Sequence, residues 1–394
     1  MASGQWNDDV AYAMTPFKLI SWPIGVWPLQ IYNIYSLMRC VLATCCSAFM
    51  FLMPSIEFFL GCTDMETNVD CLMIVGCATL GMVKTIWFRI YAKNLTHNYS
   101  SAVNDYLTIE NAKERAIMRK YTFMGRALCS LILSFAYIST MMYALVPFLD
   151  FNEIEQVNIT NEDKLEYPIP SKCALKYFNV PVSMYRTFCL IETVAIMVAC
   201  TNNIGNDVLF LNIVLHICGQ IEILKNNFHH FDVKSPQIYD RFNVLIKRHN
   251  YLIKLTRELT EIISFVLLAK LFIISILLCI IGLKLILALK MNDIVMITKA
   301  IIVQTTFLTQ LTLYCFTGNH LKSQMEEIGI AVYQSTWYNL PTKLAKHLNF
   351  IIMRSYASIS LQAGNFIVIN LTTYVGILKT SLSYLSVLRI LVEA

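Results

Sequence analysis

The chain has 394 residues, of which 56% are hydrophobic and only 14% are charged. Its mean hydropathy of +0.55 lies outside the usual range of soluble globular chains, so the composition excludes a soluble protein and indicates an integral membrane protein. The net charge of +5 is not a sign of nucleic-acid binding, because Lys and Arg in the loops of a membrane protein report its topology.

Seven apolar stretches are long enough to cross the hydrocarbon core of a bilayer, which takes about 20 residues. The first follows an N-terminal segment, 1–35, that lacks the features of a cleaved signal peptide. We therefore predict an all-α membrane protein with seven transmembrane helices. The predicted spans are 36–59, 70–92, 122–149, 179–215, 262–289, 295–317 and 364–391.

The loops between these spans differ in their content of Lys and Arg. Because basic residues are enriched in cytoplasmic loops, we predict that the N-terminus is cytoplasmic and that the C-terminus, after an odd number of spans, is extracellular. The richer loops are 93–121, 218–261 and 318–363, with five, seven and four basic residues, and the poorer loops are 60–69, 150–178 and 290–294, with none, three and one.

The longest outside loop, 150–178, is acidic and contains a glycosylation sequon at Asn158. It is the only one of four sequons that this topology exposes to glycosylation. Most of the 13 cysteines fall within apolar segments, as small packing residues. Cys62, Cys71 and Cys173 fall in or beside the outside connections, where they either form disulfides or stay free.

Two cytoplasmic segments carry apolar residues at intervals of three and four among charged ones, the pattern of amphipathic helices that pack on one another. We expect residues from about 218 to 261 to extend the transmembrane helices of 36–317 into the cytoplasm. Residues 318–363 are predicted to form anchor helices there, and 364–394 the last helix.

The most specific motifs lie in two segments, 313–341 and 363–388. Their residues are Tyr314, Cys315, Gly318, Asn319, Glu326, Glu327, Ala331, Tyr333, Trp337 and Tyr338, then Gly364, Phe366, Lys379, Thr380, Ser381, Ser383, Tyr384 and Leu388. With these residues in this order, the chain resembles the insect odorant receptor family over its last eighty residues. The predicted seven spans and cytoplasmic N-terminus extend the resemblance to the rest of the chain.

This resemblance implies an odorant-gated, non-selective cation channel in the plasma membrane of olfactory neuron dendrites. In the family, subunits with seven helices form a tetramer around one pore, the last helix lines it, and the anchor helices join the subunits. Members tuned to odorants assemble with a longer co-receptor that has an insertion in its second cytoplasmic loop. That loop has only about forty residues here, so the chain resembles a tuning subunit.

The last predicted helix contains two charges. At 1.5 Å per residue, residues 364–391 would extend roughly 40 Å against a bilayer core of about 30 Å, so we expect only about 373–391 to cross. A charge within a span needs water or a partner. Lys379 and Arg389 therefore either face an aqueous path or extend to the nearest membrane interface.

The resemblance also implies roles for single residues of this helix. Val387 and Leu391 correspond to the hydrophobic gate of the co-receptor, and their spacing of four places both on one helix face, as a constriction that closes by dewetting requires. Ile390 replaces a pore glutamine of the co-receptor. We expect these residues, with Lys379, to line the pore.

The ligand site implied by the resemblance is a mostly apolar cavity among the second, third, fourth and sixth helices, in the outer half of the membrane. Aromatic and methionine side chains with a few hydroxyls suit a small, volatile, hydrophobic ligand. We expect half of the candidates to line this cavity and the others to be ordinary packing residues. The candidates are Met73, Cys77, Tyr137, Met141, Tyr143, Met184, Tyr185, Phe188, Met296 and Thr305.

Other functional classes fit the sequence less well. A seven-helix G-protein-coupled receptor requires an extracellular N-terminus, against the distribution of loop charges, and a secondary transporter requires related halves that the sequence lacks. The sequence has no Ser/His/Asp set, HExxH motif, glycine-rich phosphate loop or Cys/His metal spacing. We therefore predict no enzyme activity, no cofactor, no metal and no nucleic-acid partner.

Overall fold

The structure is a computed structural model that describes residues 8–149, 167–231, 236–357, 360–364 and 366–393. Almost all of the described chain is helical, with a single two-stranded hairpin. The hairpin and two single helical turns interrupt or connect the helices.

Eleven α-helices occur within the described residues. They are α1 (Asp8–Ser21), α2 (Ile34–Leu60), α3 (Met65–Ile90), α4 (Ala92–Thr108), α5 (Ala112–Leu149), α6 (Lys172–Tyr177), α7 (Tyr185–His229), α8 (Ile238–Met291), α9 (Ile294–Gln334), α10 (Thr342–Tyr356) and α11 (Leu371–Glu393). Strands β1 (Gln362–Ala363) and β2 (Ile367–Val368) precede α11, and 3-10 turns lie at Val182–Met184 and Trp337–Asn339.

Helices α2, α3, α5, α7, α8 and α9 are long and apolar enough to cross a membrane. The 23 residues of α11 extend roughly 35 Å, more than the bilayer core of about 30 Å. These seven helices follow the order of the seven predicted apolar stretches, so the predicted fold class is confirmed. The orientation of the termini stays a prediction.

Helix α7 is the centre of the bundle, and every residue from 202 to 221 is buried. It packs against α2, α3, α5, α8 and α9. A helix surrounded on all sides needs no polar face, yet α7 carries Asn202, Asn206, Asp207 and His216 in this buried part. Because buried polar groups are costly unless they are hydrogen-bonded, these residues indicate internal polar networks.

Helices α7, α8 and α9 continue without a break beyond their apolar stretches. Their extensions are joined by ion pairs such as Lys225 with Glu327, whose Nζ and Oε2 atoms are 2.6 Å apart. Helix α10 packs on the end of α9 through Leu344, Leu348 and Ile351. These elements form the compact helical region beyond the apolar stretches that the amphipathic patterns predicted.

The last helix begins at Leu371, not at residue 364 as the apolar pattern suggested. Gly364 has a φ of +61°, which favours glycine, and it lies in the turn of the hairpin. Its N–H donates to the carbonyl of Ser264 in α8, over 3.2 Å. Asn370 then caps the helix by accepting a hydrogen bond from the N–H of Thr373.

A disulfide between Cys62 and Cys173 joins the α2–α3 connection to α6. The α6 N-terminus is also held by Glu57, whose carboxylate accepts hydrogen bonds from the backbone N–H groups of Cys173 and Ala174. Cys71 is not in a loop, because α3 begins at Met65; it is buried and free. The sequon residue Asn158 lies outside the described residues.

Candidate ligand cavity and pore helix

An apolar cavity of about 120 Å³ lies between α3, α5, α7 and α9, with one contribution from α2. A single water molecule needs about 10–15 Å³ of such volume, so the cavity has room for a molecule of roughly ten non-hydrogen atoms. Its walls are Met50, Met73, Ile74, Cys77, Ala78, Ala136, Ser139, Thr140, Tyr143, Ile196, Ala199, Cys200, Asn203, Ile204, Val303, Thr306, Phe307 and Gln310.

Three of the ten predicted ligand residues, Met73, Cys77 and Tyr143, line this cavity. The other seven lie outside it, so fewer than the expected half line it. Met184, Tyr185 and Phe188 precede the first lining residue of α7, Ile196, by two or more helical turns. Met296 lies similarly early in α9, where the lining begins at Val303.

The remaining three candidates are on helices that line the cavity, but on a different face from the lining residues. The α5 lining residues Ala136, Ser139, Thr140 and Tyr143 follow helical spacing of three and four, which Tyr137 and Met141 miss by one position. The Tyr137 hydroxyl instead pairs with Thr201 over 2.8 Å, and the Met141 side chain is exposed.

Thr305 misses the cavity in the same way, since its neighbour Thr306 is the lining residue. The Thr305 hydroxyl donates to the carbonyl of Ile301 one turn earlier in its own helix. A shift of one residue turns a side chain by about 100° on a helix, so the choice between adjacent threonines decides which one reaches the cavity.

Tyr143 lines the end of the cavity nearest the α2–α3 connection. Its hydroxyl donates to Asp70 over 3.3 Å, and Asp70 also pairs with the buried Lys284 of α8 at 2.5 Å. Tyr143 is therefore both a wall of the cavity and part of a polar contact that joins α3, α5 and α8.

A charged network lies one helical turn beyond the opposite end of the cavity. The Asp207 carboxylate of α7 is 2.7 Å from Lys84 of α3 and 2.5 Å from Lys270 of α8. It also accepts a hydrogen bond from the Tyr314 hydroxyl of α9, over 2.6 Å. Lys84 donates as well to the Oδ1 atom of Asn203, over 2.6 Å. All five side chains are buried.

The network was not among the predicted site residues. The sequence does contain the signal, because charged residues inside an apolar span are rare and face partners or water. Asn203 and Gln310 line the cavity, and each stands four residues before a network member on the same helix, Asp207 and Tyr314. The network therefore supports the end of the cavity that Asn203 and Gln310 form, which we call the cavity floor.

Helix α8, which contains Lys270, also packs against the last helix, α11. The Ser381 hydroxyl of α11 donates to the carbonyl of Ser275 in α8, over 3.3 Å, and the Cys279 thiol donates to the carbonyl of Ser381. At Gly282 the two helices come so close that an added Cβ would lie 2.8 Å from Leu385. Helix α8 thus contacts both the cavity floor and α11.

Helix α11 has one packed face and one exposed face. Ser381 is buried, with Tyr374, Ile377 and Leu378 half-buried around it. The opposite face is exposed and mostly small or polar. Its residues are Thr372, Gly376, Lys379, Ser383 and Val387.

The other predicted pore residues lie near the end of α11. Arg389 is exposed. Ile390 and Leu391 belong to the helix, but their side chains lie outside what the structure describes. Leu391 stands one turn beyond Val387, so the backbone gives the two the same helix face, as the gate prediction requires.

Comparison with known proteins shows the family of the chain. Residues 64–382, most of the chain, match the family described as 7tm Odorant receptor. The chain belongs to the 7tm odorant receptor family. Odorant receptors are not enzymes, so the prediction that the chain has no enzyme activity is confirmed.

This odorant receptor is similar to two receptors of Drosophila melanogaster. It is 23% identical to Odorant receptor 82a over 345 residues, which cover 83% of this chain and 85% of that one. It is 22% identical to Odorant receptor 13a, over 82% and 79% of the two chains. At these coverages the similarity extends over nearly the whole receptor.

Solved structures of the insect olfactory receptor OR5 from Machilis hrabei share the fold of this odorant receptor. The complex with eugenol matches with a TM-score of 0.79 at 14% identity, over 98% of this chain and 100% of that chain. A second structure of the same receptor matches with the same TM-score, at 13% identity. The family resemblance inferred from the C-terminal motifs is confirmed.

Proposed function

We propose that this odorant receptor is a tuning subunit of a ligand-gated, non-selective cation channel, which it forms as a heterotetramer with the odorant receptor co-receptor. The observation that carries the proposal is the exposed polar face of α11. A transmembrane helix does not expose threonine, serine and lysine along one face to lipid without cost. In the proposed channel, this face of α11 lines a water-filled path.

The apolar cavity is the proposed odorant site. The related Machilis receptor was solved in complex with eugenol, a small organic molecule. Here the walls combine Met73, Phe307 and Tyr143 with small side chains. Such a surface binds a small volatile ligand mainly by shape and dispersion.

Helix α8 supports a route from the cavity to the pore. Lys270 contacts the network under the cavity floor, and one to three turns later α8 contacts α11 at Ser381 and Leu385. A ligand that favours one packing of the floor therefore also favours one position of α11. The change would widen the ring formed by Val387 and Leu391, with Ile390 and Lys379 on the pore wall.

Exposed apolar side chains at the end of α9 and on α10 support subunit assembly. Tyr333, Tyr338, Phe350 and Met353 each expose about two thirds of their surface or more, and the Tyr333 and Trp337 rings lie near one another. Apolar patches of this kind mark sites of protein contact. We assign them to the contact with neighbouring subunits in the anchor region.

The proposed orientation has the N-terminus in the cytoplasm, in the plasma membrane of olfactory neuron dendrites. The basic loops support it, and so does the disulfide, since disulfides persist in oxidising compartments and Cys62 and Cys173 are on the predicted outer side. In this orientation Asn158 is available for glycosylation.

The test is electrical recording from cells that express this chain together with the co-receptor. Odorants should evoke an inward current that is carried by several cations and that disappears when they are replaced by a large organic cation. Strong current from this chain alone would contradict the heteromer. Antibody staining of an N-terminal tag in intact cells would contradict the orientation and favour a G-protein-coupled receptor.

A further inference from the structure

The floor of the cavity contains two amide side chains with unused hydrogen-bonding capacity. Gln310 of α9 is 4% exposed and lines the cavity. Among the described residues its side chain has no hydrogen-bond partner. A buried amide without a partner is costly, unless a molecule in the cavity supplies one.

The second amide, Asn203 of α7, has a free donor group. Lys84 donates to its Oδ1 atom, over 2.6 Å, and since an ammonium group cannot accept a hydrogen bond, this contact fixes which atom of the amide faces the lysine. The Nδ2 group has no acceptor within the part of the chain that the structure describes. Asn203 thus offers free N–H groups, while its side-chain oxygen is already bonded to Lys84.

The charged groups next to the floor carry a net positive formal charge. Lys84 and Lys270 share one carboxylate, that of Asp207, so the formal charge of the three groups is positive. In a medium of low dielectric constant such a charge acts over a longer distance than in water. A ligand oxygen with partial negative charge is favoured at the floor, and an ammonium group is disfavoured.

Most of the remaining polar wall groups already have hydrogen-bond partners. The hydroxyls of Thr140 and Thr306 already donate to the carbonyls of Ala136 and Ile302 in their own helices. The upper wall also contains Ser139, whose hydroxyl forms no hydrogen bond among the described residues, and Tyr143, whose hydroxyl donates to Asp70. Two amides therefore lie at one end of a mostly apolar cavity, and the Ser139 hydroxyl is a further free group on its wall.

We propose that the cavity selects an apolar molecule of roughly ten non-hydrogen atoms with one oxygen acceptor at one end, the carbonyl of an aldehyde, ketone or ester, held by Asn203 and Gln310. The inference rests on the proposed odorant site and names its ligand class. Hydrogen-bonding sites discriminate strongly against ligands that lack the matching group, because the site is then left unpaired. Gln310 and Asn203 are the specificity-determining residues.

The test compares heptanal, heptane and heptylamine, which share a seven-carbon chain and differ in the end group. Two readouts are used: current from the complex with the co-receptor, and ligand-induced thermal stabilisation of the same purified complex. Heptanal should bind at least ten times more tightly than heptane or heptylamine. Equal binding of heptanal and heptane would overturn the proposal.

The variant Gln310→Met keeps the size of the side chain and removes its hydrogen bonds. It should weaken heptanal binding about tenfold and leave heptane binding unchanged. Gln304→Met, a like substitution on α9 outside the cavity lining, should change neither. If Gln310→Met does not reach the cell surface, Gln310→Asn, which retracts the amide by one methylene, should weaken heptanal binding alone; an unchanged heptanal affinity contradicts the proposal.

The two readouts separate this inference from the proposed function. Stabilisation by heptanal without current contradicts the channel proposal and leaves the ligand class supported. Current evoked equally by heptane and heptanal supports the channel and contradicts the ligand class. Failure of all three molecules to stabilise the complex contradicts both assignments of the cavity.

Discussion

Helices α7 and α11 both carry polar side chains in an apolar context, but they arrange them in opposite ways. Asp207 and Asn206 of α7 are fully enclosed and bonded to other helices, whereas Lys379 and Ser383 of α11 lie on an exposed face. The polar groups of α7 hold the subunit together. Among the described residues, Lys379 and Ser383 make no bond to another helix of the subunit, so we expect them to act on what surrounds it.

The largest effect is expected at Asp207. Replacing it by Leu leaves Lys84 and Lys270 buried without their carboxylate, and breaking a buried pair in this way costs about 3–5 kcal/mol. We expect loss of most folded complex from detergent extracts, measured by size-exclusion chromatography after a heating series. Asp207→Asn keeps the size and should lose less. A normal size-exclusion profile for Asp207→Leu would show that the buried polar groups of α7 do not hold the subunit together.

On α11 the expected effect is on current and not on folding. Ser383→Cys should assemble normally, and a positively charged, water-soluble thiol reagent should then block most of the odorant-evoked current, because the added charge stands in the cation path. Leu378→Cys, on the packed face, is the matched control and should be insensitive. Equal sensitivity of both variants would show that the two faces do not differ in their access to water.

His249 of α8 provides a third case, a buried polar group without a partner. Its Nε2 atom has no hydrogen bond among the described residues, and burial, together with the charge of Arg354, lowers the pKa of His249 from 6.5 to about 4. The folded state therefore resists protonation more than the unfolded state does. The contribution of the neutral imidazole is complete above pH 6.5 and is lost as the pH falls toward 4.

This loss amounts to about 3 kcal/mol over the whole pH interval. Thermal melts of the purified complex between pH 7 and pH 4 should show a steeper fall for the native chain than for His249→Leu. His347→Leu, at an exposed position of α10, should behave like the native chain. Parallel curves for the native chain and His249→Leu would contradict the lowered pKa.

The smallest effect is expected at Lys379. A charge about 10 Å from a permeating ion in water contributes about 0.4 kcal/mol, so Lys379→Gln should raise single-channel conductance for cations by about a factor of two. High salt should reduce the difference, because it screens the charge. No change at low salt would place this side chain away from the pore, in agreement with its alternative interpretation as a residue that extends to the interface.

The sequence predicted the order of the helices well because the apolar stretches are long and clearly separated. It predicted the cavity less well. We chose large aromatic and methionine residues, but much of the wall is made of Ala136, Ser139, Ala199 and Cys200, and space is left where side chains are small. No pattern in the sequence fixed the rotation of each helix, and one position separates Thr305 and Tyr137 from the lining residues Thr306 and Ala136.

The buried charges illustrate a different limit. Lys84, Asp207 and Lys270 are visible in the sequence as charges within apolar stretches, but their sequence separations do not show that they meet. The start of α11 was misplaced for a local reason, since 364–370 is apolar enough to continue a helix. The turn at Gly364 and the cap at Asn370 instead place the start of the helix at Leu371.

The short hairpin before α11 determines how that helix can move. It fastens the base of α11 to α8 through the bond from Gly364 to Ser264, and the middle of α11 is fastened to the same helix around Ser381. Because both attachments are to α8, we expect the part of α11 before Leu385 to move together with α8, without tilting or turning independently. Independent movement of α11 is therefore expected only in the stretch after Leu385.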